Sequence, residues 1–94
     1  SMVRTLKLEL APRGIRINAV LPAAIDTDVL KHAGIPEQVI PQINESVKAG
    51  IPLKRMGKAE DVANLVAFLA SDEASYINGV EYIIDGGLAR KAVF

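Results

Sequence analysis

Hydrophobic positions change their period three times along this chain, and each change marks an element. In residues 2–11, MVRTLKLELA, Val3, Leu6 and Leu10 recur at helical spacing while Arg4, Lys7 and Glu9 fall elsewhere, the pattern of an amphipathic helix. Ser1 is the only candidate cap, and Arg4 stands where a capping box needs Glu, so this helix is expected to have lost its beginning. Pro12 is expected to end it and Gly14 to supply the turn. Residues 15–21, IRINAVL, are too short for a typical helix and carry apolar side chains on both parities, as a strand covered on both faces does, with Pro22 closing it.

Residues 23–57 are punctuated by Gly34, Pro36, Pro41, Gly50, Pro52 and Gly57. Asp26, Thr27 or Asp28 can cap a stub that runs to Lys31. A second helix is predicted over 41–49, with Pro41 in its first turn, Gly50 just past its end, and Ile43 and Val47 as an apolar edge. Residues 59–70 give the clearest helix: Val62, Leu65, Val66 and Leu69 follow the helical period, and Glu60 and Asp61 suit the positive first turn. Ala63, Ala67 and Ala70 form a second, small-residue face that permits a close neighbour. Asn78-Gly79 reads as a turn and 80–84 as a second strand, stopped by Asp85-Gly86-Gly87. Strand, helix, strand with so long an intervening segment predicts a parallel, right-handed crossover in an α/β fold. Two strands leave hydrogen-bonding edges open, so neighbouring strands are expected elsewhere.

Ninety-four residues bound this to one small domain, 1–94, and with half of them hydrophobic and 23% charged a packed core is feasible. Eleven basic residues balance eleven acidic ones, which removes the net field that nucleic acid or anionic lipid would attract. No cysteine is present, so disulfide and thiolate chemistry are excluded and zinc loses its commonest soft ligand. The apolar runs fall short of a membrane span and the first residues lack the layout of a signal peptide, so the chain reads as soluble and cytoplasmic, with no membrane partner. Two Tyr, two Phe and no Trp argue against a base-stacking platform.

The order of the pieces is more specific than any of them. LKLELAPRGIRINAVLP, then IDT, then IPLKRMG before an acidic helix start, then FLASDEASYINGVEYIIDGG closely resemble the C-terminal part of short-chain dehydrogenases/reductases, over nearly the whole chain. The resemblance implies a Rossmann-like, doubly wound parallel sheet. This chain would supply its last two strands, the crossover helix and a substrate-binding lid at 28–52, a partial domain that is incomplete on its own. It further implies transfer of hydride between NAD or NADP and a small-molecule carbonyl or alcohol, by homo-oligomers that are commonly dimers or tetramers. The partner of this segment would be a second copy or the missing N-terminal half of the domain.

In that family the dinucleotide fingerprint and the catalytic tetrad lie upstream of the matched region. No two glycines here are separated by one residue, and the Tyr-to-Lys spacing of four fails, since Val80 follows Tyr76 and Gly86 follows Tyr82 at that distance. No catalytic residue is therefore assigned, and the chain alone is expected to be inactive and to bind NAD or NADP weakly or not at all. What carries over is Pro22-Ala23-Ala24-Ile25-Asp26-Thr27, where the family has Pro-Gly, then an aliphatic residue and a Thr. That turn lies along the nicotinamide in the family, the aliphatic residue's backbone meeting the carboxamide and the Thr hydroxyl bonding nearby. The resemblance thus implies Pro22, Ala23, Ile25 and Thr27 as cofactor-binding positions. Ala23 departs from the family's Gly, and if a positive φ is needed there its Cβ costs on the order of 1 kcal/mol.

Read from the residues alone, Thr27 caps the stub that follows. His32, without a nearby partner in sequence, is expected to be solvated in the lid. Asp26 and Asp28 suit a helix start better than paired acid/base work, and Asp72 and Glu73 lack the converging ligands of a metal site. Asp85 is expected to stabilise the turn after the last strand. A reading from a different class is a non-enzymatic assembly module that docks on another chain through the 59–70 helix and the last strand, which the resemblance places at a subunit interface.

Overall fold

The computed structural model describes residues 2–88. Helix α1 (Met2–Leu10), strand β1 (Ala19–Pro22), helices α2 (Val29–His32), α3 (Ile40–Ala49) and α4 (Ala59–Ala70), and strand β2 (Glu81–Ile84) follow in that order. The strands pair in parallel, Ala19 opposite Glu81 and Pro22 opposite Ile84, as a two-stranded sheet. The predicted α/β crossover is present, with the three later helices carried between two adjacent strands.

Pro12 does not stop helical winding. The α-helix ends at Leu10, and Ala11–Arg13 continue as a 3-10 turn with Pro12 in its first positions, where a missing N–H costs nothing. Gly14 then closes the turn at φ 73, its N–H donating to the Ala11 carbonyl at 2.9 Å.

The first strand lies later than residues 15–21. Two asparagine side chains occupy the ladder where it was expected to begin: Asn78 Oδ1 accepts the Ile17 N–H at 3.0 Å, and Asn18 Oδ1 accepts the Val80 N–H at 3.0 Å. Regular pairing therefore starts only with Ala19, and only with Glu81 on the other strand, one residue after the predicted 80. Pro22 belongs to the strand rather than closing it. Ala19 and Ala23 direct their N–H groups at Val80 and Ile84. Residue 22, of the opposite parity, would point its N–H to the open edge, so proline loses no bond there.

Helix α3 begins at Ile40 with Pro41 in its first turn. Gly50 is not the left-handed terminator expected of it: its φ is −87, and its N–H and that of Ile51 bond back to Val47 and Lys48 at 3.0 and 3.1 Å. The tightened turn delivers Ile51, 1% exposed, into the interior. Opposite it, Gly86 at φ +65 has no room for a side chain, since a Cβ would stand 2.7 Å from Ile51 Cγ2. Helix α4 matches its predicted bounds. The carboxylate of Asp61 reaches back to the Lys58 N–H at 2.8 Å and so satisfies a donor at its N-terminus.

The sheet is not covered on both faces. α4 packs on β1 with Leu69 buried and Val62 and Leu65 half-buried, while Val66, Leu21 and Ile83 are exposed by 49, 43 and 60%. Ala63, Ala67 and Ala70 face solvent as well. A radius of gyration of 16.6 Å exceeds the roughly 12 Å of a compact chain of this length. The strand expected to be covered on both faces is covered on one: α4 packs on one face of the sheet, and nothing among the described residues covers the other. No helix among the described residues is long and apolar enough to cross a membrane.

Candidate functional site

At the carboxyl end of β1 the chain turns through residues 22–27 and is stitched to the segment before α4. Ala23 donates to the Ile84 carbonyl at 3.1 Å, continuing the sheet by one bond. Gly57 then donates to Ala24 at 3.0 Å and accepts from the Asp26 N–H at 2.7 Å, so that Ile25 and Gly57 form an isolated parallel bridge. The approach is close: a Cβ at 57 would sit 2.6 Å from Ile25 Cδ1, so the end of the Ile25 side chain would have to shift. The positive φ of this turn is carried by Ala24, at 57, and not by Ala23. The strain foreseen for an alanine in place of the family's glycine is thus displaced by one residue.

The bridge uses the peptide groups on either side of Ile25. In parallel pairing the bridged residue's own N–H and C=O point the other way. Neither is bonded to any described residue. Ile25, half-buried, separates two cavities. One, of about 200 Å³, lies between Ala23, Leu53, Gly57, the Arg55–Asp61 ion pair and Ile84 to Gly86. The other, of about 470 Å³, runs under α2 and α3 and is lined by Pro22 and Ala23 with Leu30, Ile43, Val47 and Met56.

Thr27 does not join these. It lies on a neighbouring cavity beside Asp26, Asp28, Lys31 and Glu37, and its hydroxyl accepts the Val29 N–H at 3.3 Å, a local turn bond before α2 in place of the N-cap bond expected of it, since Asp28 holds the N-cap position. Asp28 occupies the N-cap position of α2 without a side-chain bond. Of the four implied cofactor positions, then, the structure brings Pro22, Ala23 and Ile25 to one cavity and places Thr27 on the next. His32 is exposed, and among the described residues no cluster of His, Cys, Asp or Glu could hold a metal ion. Asp85 does stabilise its turn: its carboxylate accepts the Gly87 N–H at 2.9 Å.

The family model of enoyl-(acyl carrier protein) reductases matches residues 1–89. Glucose 1-dehydrogenase of Gluconobacter oxydans is 43% identical over 89 residues, covering 94% of this chain and 32% of that protein. A 3-oxoacyl-(acyl carrier protein) reductase of Thermotoga maritima is 46% identical over 87 residues, 93% of this chain and 33% of its own length. The chain belongs to the short-chain dehydrogenase/reductase family. The crystal structure of YwfH, an NADPH-dependent reductase involved in bacilysin biosynthesis, superimposes with a TM-score of 0.81 at 38% identity, over 97% of this chain and 36% of that one.

The chain therefore spans about a third of the relatives it matches, and its crossover is part of a Rossmann-like short-chain dehydrogenase/reductase fold. In a sheet of this family, the carboxyl ends of the strands are where ligands bind. The 22–27 turn, both cavities beside Ile25 and helices α2 and α3 all lie at that end of β1 and β2. Sequence reasoning missed Asn44 and Met56 on the larger cavity and the Arg55–Asp61 pair on the smaller one. The IPLKRMG string and the acidic first turn of α4 were visible separately. Their pairing needs a loop reversal between residues 55 and 61 that no periodicity announces.

Proposed function

We propose that residues 1–94 are the C-terminal segment of a cytoplasmic, NAD(P)-dependent short-chain oxidoreductase that interconverts carbonyl and alcohol substrates. The segment supplies one wall of the nicotinamide site, through Pro22, Ala23, Ile25 and Thr27, and the substrate lid at 28–52. The observation that carries this reading is the main-chain N–H and C=O of Ile25 at the carboxyl end of β1, unpaired among the described residues. A carboxamide offers one carbonyl acceptor and an NH₂ donor, the complement of such a peptide pair. Thr27 can serve two roles: its oxygen accepts from Val29, which leaves the hydroxyl proton free to donate to a cofactor atom.

Bound nicotinamide supplies or takes up the hydride. The residues of this chain hold its carboxamide, exclude water with α2 and α3, and shape the space in which the substrate lies. The names of the relatives support the class of reaction, each being a dehydrogenase or a reductase. A homo-oligomer, dimer or tetramer, is supported by the exposed face of α4, where Val66 and Phe68 are 49 and 42% accessible beside Ala63 and Ala67. The same face is what favours the second reading, an assembly module without activity of its own.

The two are separated by the native protein purified from its source. A chain near three times this length that oxidises NADH or NADPH in the presence of ketones supports the oxidoreductase. A native species of 10.1 kDa that turns over neither cofactor supports the module.

A further inference from the structure

We infer that the substrate is an uncharged aliphatic ketone or alcohol whose chain lies in the cavity under α2 and α3, and that the Asn44 carboxamide binds a single oxygen on that chain. This rests on the oxidoreductase reading above. Leu30, Ile43, Val47 and Met56, each half-buried, present aliphatic or thioether surface to a space of about 470 Å³. That volume falls among small-molecule sites, which are mostly apolar with a few placed polar groups. None of the described residues that line it is charged.

Among the described residues the nearest cations are paired elsewhere. Arg55 donates to Asp61 and to the Met56 carbonyl, both at 3.1 Å, and Lys31 pairs with Glu37 at 3.4 Å on the far side of the lid. A carboxylate entering here would lose its hydration without gaining a counter-charge from any described residue. Asn44 is the one polar side chain among the described residues at the cavity wall. It projects from α3 between this space and the next, half-buried, and no described residue hydrogen-bonds its carboxamide. An amide so placed offers a donor and an acceptor to one substrate oxygen, and its loss penalises only substrates that carry it.

The test uses the full-length enzyme with NADH and NADPH on a set of methyl ketones. From butan-2-one to heptan-2-one, kcat/KM is expected to rise about fourfold per methylene, as burial of each CH₂ implies. Hexan-2-one is expected to exceed 5-oxohexanoate, which ends in a carboxylate, by roughly a hundredfold, and D-fructose by at least as much. In Asn44→Leu, the ratio of kcat/KM for 5-hydroxypentan-2-one over its isostere hexan-2-one should fall about five- to tenfold. Val47→Phe, which fills the cavity from the same helix, should flatten the chain-length series. Preference for 5-oxohexanoate or D-fructose would overturn the inference and leave the oxidoreductase reading standing. Turnover of no ketone with either cofactor would overturn both. An unchanged ratio in Asn44→Leu together with an unchanged series in Val47→Phe would show that the rest of the protein fills this space.

Discussion

The guanidinium of Arg55 and the carboxylate of Asp61 meet at 3.1 Å across the start of α4, on the same oxygen that accepts the Lys58 N–H at 2.8 Å. The Lys58 bond first, and Arg55 second, hold Asp61 below its ordinary pKa. A carboxyl whose pKa is lower folded than unfolded stabilises the fold at neutral pH, and that contribution is lost as the pH falls through the lowered value. Asp61→Asn should therefore lower the thermal midpoint of the full-length protein at neutral pH. The gap to wild type should close as the pH falls through that lowered value and the wild-type carboxyl is itself protonated. Melting curves followed by circular dichroism across this range check it. A gap that stayed constant into strong acid would mean that shape, not charge, matters at this position.

Thr27 holds α2 through its oxygen and is proposed to hold the cofactor through its proton. Thr27→Val preserves shape and removes both. In the full-length enzyme the loss of a hydrogen bond to a buried cofactor atom should weaken NAD(P) binding by about 1 to 3 kcal/mol, read by calorimetry. Unchanged affinity, with faster exchange confined to residues 29–32, would leave Thr27 with its turn bond to Val29 alone.

The proposed lid at residues 28–52 is divided by Gly34, Pro36, Pro41 and Gly50 into a four-residue helix, a ten-residue helix and turns. Its anchoring is thin: neither α2 nor α3 contains a buried residue, and its two ion pairs, Lys31–Glu37 and Glu45–Lys48, are surface pairs that contribute little. Ile51 is its one buried side chain. Amide exchange across 28–50 should exceed that of 59–70, because opening costs least where few buried contacts must break. Equal protection of the two segments would show that the lid is part of the folded core.

Much of this architecture was legible because it is written in periodicity. Val62, Leu65, Val66 and Leu69 marked α4 to the residue, and the two apolar runs marked both strands and their parallel sense. The boundaries that shifted were decided by side chains acting as backbone. Asn18 and Asn78 take up ladder bonds across about sixty residues of sequence, and nothing local to either asparagine signals its partner. The site was half legible for the same reason. The resemblance pointed to the turn at 22–27, but the bridge from Ile25 to Gly57 is a tertiary contact. This bridge points the Ile25 peptide groups away from Gly57, and beside it lie the positive φ of Ala24 and the cavity that Ile25 and Asn44 line.

Association is the sharpest test of how the 94-residue chain satisfies its own surface. β1 and β2 each keep one unpaired hydrogen-bonding edge, and Leu21 and Ile83 stand 43 and 60% exposed on the sheet. On α4, Val66 and Phe68 border the open alanine face of Ala63 and Ala67, a surface smooth enough for another helix to approach closely. A two-fold contact through α4 and β2 buries the same patch on both copies and closes the assembly, which an end-to-end contact does not. The isolated chain should accordingly scatter light as a species heavier than 10.1 kDa, with an average mass that rises with concentration. Ala67→Glu, which places a charge at the centre of the patch without touching Leu69 or the 22–27 turn, should shift that rise to higher concentration. A monomer at every concentration, unfolding in one cooperative transition, would show that α4 and the two strands close their own core and that these exposed faces need no partner.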